Sequence, residues 1–185
     1  MKRPVWLALG ALIAIAVVWF GLRSGGGDET AVDLIAQFPS AREKRPNPET
    51  FSVVDATLAG QQKKAILVKD PSRLVYGLTV PENARLKLDL GILEAGWTVP
   101  GDGVLFRILL APSNLAPEEI LNMPINPYAN PGDRKWHEVD LDLSEYAGET
   151  VELFFNTNSS LPARPPKDDR NGDLAVWGAP RVVTH

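Results

Sequence analysis

Cysteine is absent from all 185 residues. That removes a disulfide framework, a thiolate metal site, a cysteine nucleophile and a cysteine-borne lipid anchor together. Histidine is scarce, with only His137 and His185 present, so general acid–base chemistry has few places to sit. His137 follows Trp136 and shares the alternation of Val139 and Leu141, which makes it a residue at the rim of a core rather than a base. GxSxG, a phosphate-binding loop, a dinucleotide fingerprint and HExxH are all missing. Positive charge is short as well: 19 Lys and Arg stand against 23 Asp and Glu, a net −4. A general nucleic-acid binder draws its affinity largely from phosphate neutralisation and is disfavoured. The expectation is a protein that is not an enzyme, needs no cofactor and binds no nucleic acid.

What the chain does have, at its start, is one long uncharged run, VWLALGALIAIAVVWFGL, after Pro4. At about 1.5 Å per helical residue this just spans a hydrocarbon core of about 30 Å. Trp6 near one end and Trp19 with Phe20 near the other suit the two headgroup zones. The run ends in bulky residues where a signal peptidase needs small ones, so an uncleaved single-pass helix over residues 1–23 is expected. Lys2 and Arg3 precede it and only Arg23 follows, which puts the N-terminus in the cytoplasm and the rest outside a bacterial inner membrane, in the periplasm. Gly10 and Ala14 lie one turn apart and would admit a neighbouring helix of a membrane protein partner. From Ser24 onward 16 basic residues face 23 acidic ones, about −7, a surface that anionic headgroups repel.

Residues 24–50 read as a leash and stalk: glycines first, one or two amphipathic turns through Val32, Leu34, Ile35 and Phe38, then Pro39, Pro46 and Pro48. From Phe51 the apolar period becomes two, and residues 51–185 read as an all-β domain of about nine short strands. Ala84, Leu86, Leu88 and Leu90 share one face while Arg85, Lys87 and Asp89 share the other. Val104–Leu110 is apolar on both faces apart from Arg107, which predicts a central strand or one under a covering loop. Such lengths and turns predict a jelly-roll β-sandwich. Two proline-rich stretches, 112–135 and 158–173, are expected as long loops, with a helical turn at 116–121 and an apolar ridge of Met123, Pro124, Ile125, Pro127 and Tyr128. The ridge either meets a partner or plugs one end of the sandwich.

The C-terminal third carries a Trp opening a strand at Trp136, VDLDLS from Val139 to Ser144, a Tyr146-Ala147-Gly148 turn, an apolar strand, and WGAPR from Trp177 to Arg181. With LTVPENARLKLDLG and DGVLFRILL upstream, this resembles extracytoplasmic jelly-roll modules of the galactose-binding-like class, of the type appended to bacterial membrane glycosyltransferases and sulfatase-type proteins. The likeness runs over about Phe51 to Val183 and implies fold more than function. The pattern usually has an acidic residue where this chain has Ala179.

Candidate sites are thin. Asp169, Asn171 and Asp173 alternate as the start of a calcium loop does, yet the glycine and the twelfth-position ligand of an EF-hand are missing. Trp97, in a turn-rich segment, and Trp136, in step with Glu138 and Asp140, are the candidate platforms for stacking a sugar ring. The leading expectation is a non-catalytic membrane-anchored accessory subunit that stabilises a membrane or envelope complex through Gly10, Ala14, Met123, Ile125 and Tyr128. The alternative is a membrane-tethered carbohydrate-binding module.

Overall fold

A computed structural model describes residues 27–69, 71–113, 115–159 and 171–185. The expected spanning helix, Gly10 and Ala14 fall outside these residues, as does Asp169. Among the described residues there is no α-helix, and no helix is long and apolar enough to cross a membrane. Eleven strands are present: β1 Glu29–Asp33, β2 Glu43–Arg45, β3 Phe51–Leu58, β4 Gln61–Val68, β5 Ser72–Thr79, β6 Ala84–Ile92, β7 Val104–Pro112, β8 Glu118–Ile125, β9 His137–Asp142, β10 Thr150–Ser159 and β11 Ala175–Thr184. They form two antiparallel sheets packed as a sandwich. One has the order β3-β4-β11-β6-β9 with β1 alongside β11, and the other has the order β2-β5-β10-β7-β8.

Alternation decides which side chains meet between the sheets. Leu86, Leu88, Leu90 and Ile92 of β6 face Leu74 and Tyr76 of β5, Phe106 and Ile108 of β7, and Leu153 and Phe155 of β10 in one apolar layer. At its centre Trp177 takes Phe106 and Phe155 edge-on, each at 5.0 Å between ring centroids, and Tyr76 meets Phe155 at 5.6 Å. Perpendicular pairs of this kind add about 0.5–1.5 kcal/mol each beyond the area they bury. The Tyr76 hydroxyl donates to the Leu34 carbonyl at 3.0 Å. Burial, with Asp33 nearby, pushes its pKa well above the usual phenol value. Trp177 is the hub of the core.

Three expectations need correction. The expected stalk is woven into both sheets: β1 pairs with β11, β2 pairs with β5, and Leu34 between them is fully buried. Burying Leu34 and the partly buried Val32, Ile35 and Phe38 against the core outweighs a short helical preference. The expected loop 112–135 contains β8, which pairs with β7 from Val104↔Ile125 to Leu110↔Glu118, and the predicted turn at 116–121 is extended there. The segments 174–177 and 181–184, expected as two of the nine strands, form one strand, β11, broken in register between Gly178 and Arg181 where Ala179 takes a φ of 40°. The β3–β4 hairpin closes on Ala59 and Gly60, both with positive φ, the two-residue turn whose twist matches its strands.

Candidate functional site

The outward face of the first sheet carries charge that neutralises itself. Lys63 of β4 reaches the largely buried Asp89 of β6 at 2.7 Å. Arg85 holds Asp140 at 2.7 Å and Asp142 at 3.4 Å, and Lys87 bridges Asp28 and Asp140. Lys63, Lys87, Asp89, Glu138, Asp140 and Arg181 line a hollow of about 250 Å3 there. The Lys87 hydrogen bond holds the Asp28 carboxyl below the usual range, and hydrogen bonding by Ser144 does the same for Asp142. Because Lys63, Arg85 and Lys87 each hold a carboxylate and Arg181 donates to the Ala179 carbonyl, this face is mostly a set of cross-strand ion pairs.

The outward face of the second sheet is different. Arg45, Arg73, Asn156, Arg107 and Asn122 stand in one cross-strand row, each paired in register with the next, over β2, β5, β10, β7 and β8. The next row holds Val75, Phe154, Leu109 and Glu119. Arg45, Arg73, Arg107, Asn156, Asn158 and Ser72 line an open groove of about 480 Å3 with Pro46 and Pro71, inside the ~300–1,000 Å3 range of small-ligand sites. Arg73 donates through Nε to Asn156 Oδ1 at 3.2 Å, and its guanidinium lies 5.6 Å from the Phe154 ring centre. Asn156 is nearly buried; its Oδ1 is engaged, leaving the side-chain amide hydrogens to donate. Outward guanidinium and amide groups over an apolar strip can hydrogen-bond a ligand with many oxygens.

The tryptophans proposed as sugar platforms lie elsewhere. Trp136 does project from the outward side of the first sheet, as its alternation requires, but it is only 6% exposed. Its ring lies over Gly91 and Gly178, where a Cβ on Gly178 would stand 2.8 Å from Cζ3, and its indole N–H donates to the Gln61 carbonyl at 2.9 Å. Two neighbouring glycines leave a trough, and the ring fills it instead of facing solvent. Trp97 is half-buried between both apolar clusters and donates to the Ile92 carbonyl at 2.7 Å. The expected apolar ridge is also largely inward: Ile125 is fully buried and Met123 packs on the core, while Tyr128 is 47% exposed. His137 Nε2 sits 3.7 Å from Asp133 Oδ1. Asp173 is buried and Asn171 exposed at one end of the sandwich. Among the described residues no three His, Asp or Glu converge as a metal cluster.

The row on the second sheet escaped sequence reading. Arg107 as the one charge in VLFRILL, and the outward alternation of Phe154, Asn156 and Asn158 between Leu153 and Phe155, are its local signals. Their union across β5, β10 and β7 depends on strand order, which is non-local.

No family model matches the chain. An uncharacterised protein of Archaeoglobus fulgidus is 36% identical over 104 residues, 56% of this chain and 25% of that protein; the chain thus spans about a quarter of that relative's length. Among solved structures, a Clostridium perfringens ZmpB chain holding an M60 catalytic domain with two CBM51 domains aligns with 85% of this chain and 15% of its own at a TM-score of 0.57 and 16% identity. TmCBM61 in complex with β-1,4-galactotriose aligns over 83% of this chain and 94% of its own, with a TM-score of 0.53 and 10% identity. CBM51 from Clostridium perfringens GH95, in complex with methyl-galactose, does so over 78% and 94%, at 0.50 and 15%. The domain shares the jelly-roll β-sandwich fold of these structures. At these identities the likeness fixes the fold of the sandwich and leaves the ligand to be argued from its own residues.

Proposed function

We propose that this chain is a carbohydrate-binding module, held outside a bacterial cytoplasmic membrane by its N-terminal apolar run, and that its ligand lies on the outward face of the five-stranded sheet. The observation that carries this reading is the in-register row of Arg73, Asn156 and Arg107 beside Asn158 and above Phe154. It supplies hydrogen-bond donors and acceptors to hydroxyls without any group placed for bond cleavage. The carbohydrate-binding modules that share the fold support it. The accessory-subunit reading moves behind, because Met123 and Ile125, two of its proposed contacts, are spent on the domain's own core.

The test is binding of the full chain in detergent micelles to an array of neutral and acidic oligosaccharides. Saturable retention is expected, reduced about 5- to 150-fold by Asn156→Ala or Asn158→Ala, since losing a recognised hydrogen bond costs about 1–3 kcal/mol. Trp97→Phe should leave it unchanged. Retention that persists in the asparagine variants would move the site elsewhere, and retention of no saccharide would end the glycan reading.

A further inference from the structure

Four arginines stand on the outward face of the second sheet, and three have a carboxylate of their own. Arg42 holds Glu152 at 2.9 Å, Arg45 holds Glu43 at 2.6 Å, and Arg107 holds Glu119. Arg73 is the exception: it is exposed, at the middle of the groove, and among the described residues its polar contact is the neutral Asn156. Its Nε is used there, so the terminal nitrogens form an outward fork. A guanidinium fork matches the two oxygens of a carboxylate, an arrangement stronger than a neutral hydrogen bond. Elsewhere the domain repels anions, since from Ser24 onward it carries about −7.

Resting on the glycan reading above, we infer that the saccharide is acidic and carries a carboxylate, as a uronic-acid residue does, which Arg73 takes with Arg107 flanking it. Asn156, Asn158 and Ser72 around the fork bind the hydroxyls of the same and the adjoining sugar units. Phe154 and Leu109, paired in the next row of the sheet, lay apolar surface beside the groove. Arg73 sets the charge preference; the asparagines set affinity for sugar as such.

The test compares a galacturonate oligosaccharide with a neutral galactose oligosaccharide of equal length and a sulfated galactose oligosaccharide, by calorimetry on the full chain in neutral detergent. The acidic ligand is expected to bind at least about 10-fold tighter than the neutral one. Added salt should narrow that gap. Arg73→Gln should weaken the acidic ligand by a larger factor than the neutral one and so bring the two to the same level. Arg73 is exposed and outside the core, so the variant should keep the parent's circular dichroism; if it does not, Arg73→Lys, which keeps the charge and loses the fork, reads the same preference. Equal binding of acidic and neutral ligands overturns the inference and spares the glycan reading. Sulfated ligand binding as tightly as galacturonate overturns it too, in favour of plain anion attraction. Binding of none of the three, with a blank array, overturns both.

Discussion

Trp136 shows how one side chain changes meaning with its neighbours. An outward tryptophan at the start of a strand is open to solvent only if the residues beneath it have side chains; Gly91 and Gly178 have none, and Leu58 with the β3–β4 hairpin closes over the ring. Trp136→Ala should therefore act on stability. Removing a buried aromatic of this size costs about 3–5 kcal/mol, and for a chain of this length a drop in Tm of about 10 °C is expected by calorimetry. At a temperature where the variant remains folded, saccharide binding should match the parent. A loss of binding with an unchanged Tm would return Trp136 to the site.

Among the elements, β1 has an attachment that depends on charge. It lies beside β11 at the sheet margin, and the carboxylate just before it, Asp28, is gripped by Lys87 of β6 and by His185 at 3.0 Å. A carboxyl whose folded pKa is lowered stabilises the fold above its unfolded pKa, about 3.9 for aspartate, and that contribution is lost as pH falls through the lower folded value. Hydrogen exchange at the Thr30 and Val32 amides should accelerate below about pH 4 while amides of β10 stay protected, and Asp28→Asn should show the faster exchange already at neutral pH. Uniform acceleration across both sheets would mean that β1 does not open on its own. β1, β2 and β8 are also the elements sequence reading missed. β1 and β2 are short and pair with strands distant in the chain, and β8 pairs with its neighbour β7 but contains Pro124 and follows Pro117, whereas β6 and β9 announce themselves by strict alternation, as in Leu86, Leu88 and Leu90 against Arg85, Lys87 and Asp89. A period of two records which face of a strand is wet, and leaves open which strand lies beside it.

For the molecule as a whole, the second sheet gathers its binding row from β2, β5, β10, β7 and β8, so that Arg45 and Asn122 share a line although 77 positions separate their numbers. The site was illegible in the sequence for that reason, while the core was legible because each strand states its own inward residues. The same non-local weave brings the two ends of the described domain together: Glu29 pairs with Thr184, at one corner of the first sheet. Chain order is thus separable from architecture. Circular permutation should be tolerated, with a short glycine–serine linker joining His185 to Asp28 and new ends opened between the exposed Leu115 and Ala116. The permuted chain should melt cooperatively within about 5 °C of a linear chain starting at Asp28, since no ladder is cut; the smaller loop-closure difference is worth about 0.6 kcal/mol per doubling. New ends between Phe154 and Phe155 instead should abolish folding, because they sever the central strand on which the binding row and the Trp177 core both rest.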